Sequence, residues 1–127
     1  MPQAILEHVN VTVSDPKVTA DMLCALFDWR VRWHGDAKDG GTTYHVGGDN
    51  SYVAVFSKGG SAKAGDSYET PGAMNHIGVV VDDIEVIDQR VKKAGFTTHS
   101  HADYEPGKRF YFDAHDDIEI EVVSYQT

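Results

Sequence analysis

Cysteine and long apolar runs are scarce in this chain of 127 residues. Its one cysteine, Cys24, excludes an intrachain disulfide framework, which is typical of a reducing compartment, so we expect a cytoplasmic protein. No apolar stretch approaches the roughly 20 residues that a membrane-spanning helix needs. The first residues, MPQAILEH, also lack the basic and then apolar pattern of a secretory signal, so we expect no signal peptide.

Positive charge is scarce as well. The chain has 11 Lys and Arg against 20 Asp and Glu, and its formal net charge is −9. Because nucleic-acid backbones and anionic membrane surfaces carry negative charge, this balance argues against both as partners. A small molecule can still bind where a metal ion or a local arginine supplies positive charge. We therefore expect a small-molecule substrate and neither a nucleic-acid nor a membrane partner.

The chain contains an internal repeat. Residues 6–15 read LEHVNVTVSD and residues 74–83 read MNHIGVVVDD, so that His8 and His76 occupy the same place in each copy. Alternating apolar and polar positions with many β-branched residues predict that each copy begins with a strand. Two equivalent histidines are thereby carried by two equivalent strands.

Each copy predicts the same order of elements, namely a strand, a helix and three further strands. Asp15 and Asp83 are expected to cap the two helices, and Pro16 suits the first helical position. Because one βαβββ unit cannot bury both faces of its sheet, we expect two of them to pair. The predicted strands are residues 5–13, 29–33, 42–46, 52–57, 75–81, 96–100, 108–113 and 118–125.

These elements predict an α+β protein built from two paired βαβββ modules. The stretch between the repeats is polar and rich in small residues, which is typical of a linker and is also a place for a lid over a site. We expect a single domain, 1–127, composed of a first module, 1–58, a linker, 59–73, and a second module, 74–127.

Histidine and glutamate side chains predict a metal site. Successive strand residues point to opposite faces, so His8 and His76 each face a fixed side of a sheet, and symmetric pairing of the modules would turn both towards one cavity. Glu119 and Glu121 lie two apart on the last strand and point the same way; we prefer Glu121, in mid-strand, and keep Glu119 as the alternative. Two imidazoles and one carboxylate leave coordination positions open for substrate oxygens. The competing interpretation is that these histidines are structural.

The chain resembles the vicinal oxygen chelate superfamily, which includes glyoxalase I, fosfomycin-resistance proteins, methylmalonyl-CoA epimerase, extradiol dioxygenases and bleomycin-resistance proteins. The resemblance covers nearly the whole chain and is carried by LEHVNVTVSDP, NHIGVVVDDI and FYFDAHDDIEIEVVSY. It implies two βαβββ modules that form a cupped mixed sheet around a divalent metal ion, which could be Fe, Zn, Ni or Mn. It also implies that His8, His76 and Glu121 hold this metal, usually in a homodimer.

The chain departs from some members of that superfamily. Glyoxalase I-like enzymes place a fourth ligand, Glu or Gln, near a position that is here Val53 or Ala54, which argues against the glyoxalase I and epimerase assignments. The closing turn reads AHDD where the family has DPDG. A set of two histidines and one glutamate resembles fosfomycin-resistance and extradiol enzymes, whereas bleomycin-binding relatives generally lack the metal ligands.

Four other residues are candidates for roles in a site. His45 is a candidate general base because the ordinary pKa of histidine is near 6.5. Arg109 could anchor an anion and Tyr111 could donate a hydrogen bond to a metal-bound oxygen. His101, which we expect to share a strand face with His99, could line the mouth of the pocket. The alternatives are a core or edge position for His45, a surface position for Arg109 and a solvated position for His101.

We therefore predict a glyoxalase-like, metal-dependent enzyme that acts on a small oxygenated substrate chelated to a divalent metal. The reaction would be of the lyase or isomerase type, or a dioxygenase reaction if the metal is Fe(II). The alternatives are a small-molecule binding protein without activity and an antibiotic-resistance protein of the same superfamily, such as an enzyme that opens an epoxide.

Overall fold

The computed structural model of this chain describes residues 2–60, 62–104 and 107–126. The chain divides into two compact units, which we call unit 1 (Met1–Ala62) and unit 2 (Lys63–Thr127). The division falls within the predicted linker, whose Ser61 lies outside the described residues, as does Thr127 at the end of the predicted second module. The exact boundaries of the predicted domain and modules remain predictions.

Unit 1 is a mixed four-stranded sheet with one helix. Its strands follow the order β1-β4-β3-β2, in which β1 pairs parallel with β4 and the other two pairings are antiparallel. The helix packs on the face of the sheet that carries Val46, Val53 and Val55, and these valines are buried. The elements are β1 (His8–Thr12), α1 (Pro16–Phe27), β2 (Arg30–Asp36), β3 (Thr42–Gly47) and β4 (Tyr52–Ser57).

The ends of α1 follow from its flanking residues. The carboxylate of Asp15 accepts a hydrogen bond from the backbone N–H of Val18 at 3.2 Å, and Pro16 begins the helix, as predicted. At the other end Asp28 adopts the left-handed conformation, with φ of 57°, which stops the helix before β2. Local signals therefore determine where this helix begins and ends.

Unit 2 repeats the arrangement. Its sheet order is β5-β8-β7-β6, with β5 parallel to β8 and the remaining pairs antiparallel. Phe110, Phe112 and Ile120 are buried on the sheet face that α2 covers. The predicted α+β class with two βαβββ modules is thus confirmed. The elements are β5 (Ile77–Val80), α2 (Ile84–Lys93), β6 (Thr98–Tyr104), β7 (Gly107–Asp113) and β8 (Glu119–Ser124).

The ends of α2 also agree with the sequence. Asp83 accepts a hydrogen bond from the backbone N–H of Val86 at 3.3 Å, and Gly95 follows the helix with φ of 98°, a conformation that glycine adopts without strain. Neither helix of the described residues has the length and hydropathy that crossing a bilayer requires.

A β-bulge in β6 corrects one expectation. The register shifts between His99 and Ala102, and Ser100 adopts a positive φ of 58°. Because the bulge inserts an extra residue into the strand, it breaks the alternation of side chains. The prediction that His99 and His101 share a face is therefore wrong, since His99 stacks on Tyr111 and His101 lies beside Asp88 of α2.

We predict that Asp15→Ala lowers the free energy of unfolding by about 1 kcal/mol, because the first turn of α1 loses its cap. Urea denaturation followed by circular dichroism measures the change. Asp21→Ala is the matched control on the same helix, since it removes only an exposed ion pair with Lys17 and should change stability by no more than about 0.5 kcal/mol. Equal losses in the two variants would contradict the capping role.

Candidate functional site

The parallel pairing of β5 with β8 brings a histidine and a glutamate together in unit 2. Gly78 pairs with Glu121 in the register of these strands, and His76 directly precedes β5. Nε2 of His76 lies 3.1 Å from Oε1 of Glu121, whose side chain is only 13% exposed. A Cβ added to Gly78 would meet none of the described atoms within 4 Å, so open space lies in front of this glycine. The pair sits on the sheet face opposite α2.

The hydrogen bond at Nδ1 of His76 determines whether Nε2 of the same ring carries a hydrogen or a lone pair. Nδ1 lies 2.6 Å from Oδ1 of Asn75, and because a carbonyl oxygen accepts, Nδ1 carries the hydrogen. Nε2 then presents a lone pair towards Oε1 of Glu121, which is also an electron donor. In this tautomer, two such atoms 3.1 Å apart can share a cation, either a proton or a metal ion.

These two donors suit a metal ion. Nitrogen and oxygen ligands lie about 2.0–2.2 Å from a zinc-like ion, so two of them at a right angle are about 3 Å apart, close to the separation of Nε2 of His76 from Oε1 of Glu121. Among the described residues, no group of three or more His, Cys, Asp or Glu side chains is placed to hold one ion. Unit 2 therefore brings together two of the three predicted ligands.

Arg109 lies against the same carboxylate. Its Nη1 donates a hydrogen bond to Oε2 of Glu121 at 2.8 Å, and its side chain is 14% exposed. Nε and Nη2 of Arg109 are buried and have no hydrogen-bond partner among the residues described. A guanidinium group with unused donors is suited to holding an anionic or carbonyl oxygen.

Tyr111 pairs with Glu121 across β7 and β8 and stands edge-on to the ring of His76, with centroids 5.8 Å apart. Burial raises its pKa above the ordinary value, and a hydrogen bond with Glu121 raises it further. Tyr111 therefore keeps its hydroxyl hydrogen at neutral pH and can act as a donor.

Tyr68 is a residue of this face that sequence reasoning missed. Its hydroxyl donates a hydrogen bond to Oε1 of Glu119, and this bond is the largest cause that raises the pKa of Tyr68 to about 12. Asp66 holds the segment by accepting from the backbone N–H of Tyr68 at 2.9 Å. The signal in the sequence was a lone aromatic residue in the polar linker. Glu119 is thereby engaged with Tyr68, whereas Glu121 faces His76.

The equivalent strands of unit 1 carry a stack of rings. Nδ1 of His8 lies 2.8 Å from Oε1 of Glu7, and the His8 ring stacks on Tyr52 with centroids 4.7 Å apart. His45 stacks on the same tyrosine at 4.5 Å. Burial lowers the pKa of His45, and the neighbouring His8 and Arg32 lower it further. His45 is thus an uncharged imidazole at neutral pH.

The register of unit 1 identifies the position equivalent to Glu121. Asn10 pairs with Ala54, as Gly78 pairs with Glu121, so Ala54 rather than Val53 is the counterpart. Alanine has no donor atom for a metal. The two modules therefore differ at the position where a fourth ligand would stand.

His101 points away from Glu121 and Tyr111, although it lines a pocket at the α2 side of unit 2 together with Arg109. Its Nε2 is 3.1 Å from Oδ2 of Asp88, and its ring stacks on Phe110 of the helix-covered face. Glu121, Arg109 and Tyr111 share the opposite face. The bulge at Ser100 accounts for this position.

Comparison with known proteins gives one family and a set of similar folds. The model of the Glyoxalase/Bleomycin resistance protein/Dioxygenase superfamily matches residues 5–122. A domain of that description from Frankia sp. EAN1pec is similar to the chain with a TM-score of 0.82 and 20% identity, covering 97% of this chain and 98% of that one. No curated protein matches the sequence.

Two fosfomycin resistance proteins named FosX also share the fold. The one from Mesorhizobium loti is 24% identical with a TM-score of 0.73, covering 100% of this chain and 94% of that one. A mutant of the one from Listeria monocytogenes, complexed with Mn(II) and 1S,2S-dihydroxypropylphosphonic acid, is 18% identical with a TM-score of 0.74, covering 99% and 95%. At these identities the likeness concerns the fold alone.

We predict that Glu119→Gln lowers the pKa of Tyr68 from about 12 towards the ordinary value of 10.0, because the carboxylate no longer holds the hydroxyl hydrogen. Since the pKa is raised in the folded state, this bond contributes stability that is present below about pH 10 and lost as the pH rises through about 12. Carbon-13 NMR titration of the tyrosine rings measures the shift, with Tyr68→Phe identifying the signal. An unchanged pKa in Glu119→Gln would contradict the contact.

Proposed function

The chain belongs to the glyoxalase/bleomycin resistance protein/dioxygenase superfamily, as its resemblance predicted, and from this membership we propose that it is a metal-dependent enzyme acting on a small oxygenated substrate. The observation that carries the proposal is the approach of Nε2 of His76 to Oε1 of Glu121 at 3.1 Å, with Nδ1 of the same ring occupied by Asn75. This arrangement supports a divalent cation between nitrogen and oxygen.

The proposed ligands are His76 and Glu121, with His8 as the third ligand that the sequence predicts. Each histidine has its Nδ1 bound by the side chain of the preceding residue, Glu7 at 2.8 Å and Asn75 at 2.6 Å, which leaves Nε2 for a metal. Such outer partners orient ligating histidines and select the tautomer. Fe, Zn, Ni and Mn all suit these donors, and Mn(II) is the first to test because a FosX structure contains it.

The chain's own residues would bind and orient the substrate. Nε and Nη2 of Arg109 are buried in this structure, and a movement of the side chain that exposes them would let them bind an anionic or carbonyl oxygen. Tyr111 keeps its hydroxyl hydrogen at neutral pH and donates it to Glu121 in this structure, so it would donate to a second substrate oxygen by exchanging that bond. The neutral imidazole of His45 is the predicted base that accepts a proton. When bound, the metal would supply Lewis acidity that polarises a substrate oxygen.

The alternative is a protein that binds a small molecule, including an antibiotic, without transforming it. The ion pair between Arg109 and Glu121 favours this alternative, because it neutralises the buried carboxylate within unit 2 without a metal. The two functions differ in whether metal is retained at the stoichiometry of the chain. The homodimer, the small-molecule substrate, the lyase, isomerase or dioxygenase reaction and the cytoplasmic location remain predictions.

We predict that His76→Ala and Glu121→Gln each lower the affinity for Mn(II) by more than about 100-fold. Substitution of a residue that only contacts a ligand typically lowers metal affinity by roughly 10- to 100-fold, and loss of a ligand should cost more. Equilibrium dialysis with metal analysis measures this affinity. Glu119→Gln is the matched control, since it changes the same kind of residue on the same strand, and it should retain the wild-type affinity. Retention of metal by Glu121→Gln together with its loss in Glu119→Gln would instead make Glu119 the ligand.

A second prediction concerns the residue that holds His76. Asn75→Leu removes the acceptor of Nδ1 and should lower Mn(II) affinity by roughly 10- to 100-fold, because the imidazole loses its orientation and tautomer. Asn75→Asp keeps an acceptor of the same shape and should retain the affinity. Equal affinities in the two variants, measured by the same dialysis, would remove Asn75 from the proposed site.

A further inference from the structure

A pocket of about 510 Å³ opens on unit 1, on the face of the sheet opposite α1. Trp33, His45 and Phe56 contribute rings to it, and Thr43 contributes a hydroxyl. His45 pairs with Trp33, and Thr43 pairs with Phe56, on neighbouring strands. Because paired residues point to the same side of a sheet, these four side chains lie on one face. No residue of the metal site proposed in unit 2 lines this pocket.

Two aromatic rings that line the pocket pack against glycine residues. A Cβ on Gly35 would stand 2.9 Å from the indole of Trp33, and one on Gly41 would stand 2.4 Å from the ring of Phe56. Both rings therefore lie directly against backbone, where only glycine leaves room. The indole of Trp33 is 5.1 Å from the imidazole of His45 yet 51% exposed, so it offers an aromatic surface that another ring can cover.

The hydroxyl of Thr43 gives the pocket an unused polar group. Thr43 is 6% exposed, and its Oγ1 is buried with no hydrogen-bond partner among the residues that the structure describes. A buried hydroxyl without a partner is unfavourable, and a rotation about χ1 exchanges its oxygen and methyl positions. A polar group of a ligand in the pocket could supply the missing partner.

The charges around the pocket balance one another. Lys38 and Lys58 contribute two positive charges, and Asp36 and Asp39 contribute two negative ones. Electrostatics therefore give no preference to an ion of either sign.

We propose that this pocket binds an uncharged, planar aromatic compound that carries a hydrogen-bonding substituent. The ring of the compound stacks on Trp33, and the substituent bonds to the hydroxyl of Thr43. The inference rests on the proposed function in one respect, which is that the bound compound is the substrate. His45, which lines the pocket, and the predicted metal ligand His8 stack on the same tyrosine, Tyr52, so the pocket lies beside a predicted metal ligand.

The test uses benzamide as the probe, with the fluorescence of Trp33 as the readout. The chain has two tryptophans, so Trp29→Phe leaves Trp33 as the single emitter and serves as the background for every variant. Benzamide should quench the emission with saturation at millimolar concentration. Cyclohexanecarboxamide, which has the same amide on a ring without a π face, should bind about fivefold more weakly. Benzoate should not bind more tightly than benzamide.

Two variants assign the contacts. Thr43→Val keeps the shape of the side chain and should weaken benzamide binding about fivefold, while Tm stays the same or rises because the unsatisfied hydroxyl is gone. Calorimetric titration of Trp33→Leu should show a loss of similar size. Equal binding of benzamide and cyclohexanecarboxamide, an unchanged affinity in Thr43→Val, or no saturable binding would overturn the inference.

Titrations of the chelator-treated and the Mn(II)-loaded protein separate this inference from the proposed function. Saturable benzamide binding in both forms supports the pocket, and its absence in both overturns it, whatever the metal affinity. Failure of His76→Ala to lower metal affinity overturns the proposed metal site but leaves the pocket standing if benzamide still binds. A shift of benzamide affinity on metal loading would support the claim that the bound compound is the substrate, and an unchanged affinity would contradict that claim alone.

Discussion

The parallel contact between the first and last strands of each unit is the interaction on which the candidate site depends. In unit 2 it joins β5 to β8, sets Gly78 opposite Glu121 and brings His76 within 3.1 Å of that carboxylate. A shift of one residue would turn Glu121 towards α2 and replace it with an apolar side chain, because alternate strand residues face opposite sides. The buried side chains on the helix side, Ile120 and Val122, oppose such a shift.

Glu119 and Glu121 lie on the same strand but contact different side chains, which suit them to different roles. Glu121 lies between His76 and Arg109 and is mostly buried, so it is suited to share a cation with the histidine. Glu119 accepts the hydroxyl of Tyr68, which reaches it from the linker segment. The two side chains have the same chemistry and point the same way, and only their neighbours distinguish them.

The units share their architecture and differ in what their exposed sheet faces carry. The positions of Glu119 and Glu121 in unit 2 correspond to Tyr52 and Ala54 in unit 1, because both pairs oppose the equivalent first strand. Unit 1 therefore carries stacked rings and a pocket, and unit 2 carries carboxylates with a histidine and an arginine. Repetition of the fold supplies the same frame in both units, and substitutions on one sheet face give the two units different side chains there.

Much of this arrangement is readable from the chain alone. The caps Asp15 and Asp83, the two βαβββ modules and the strand face of each first histidine follow from local patterns, because capping and alternation involve residues close in sequence. Other features depend on contacts between distant residues. The bulge at Ser100 turned His101 towards α2, and the linker brought Tyr68 to Glu119. Packing left the hydroxyl of Thr43 without a hydrogen-bond partner among the described residues. Strand register, bulges and the path of a linker are set by the balance of packing over the whole unit, and so only the tertiary structure decided them.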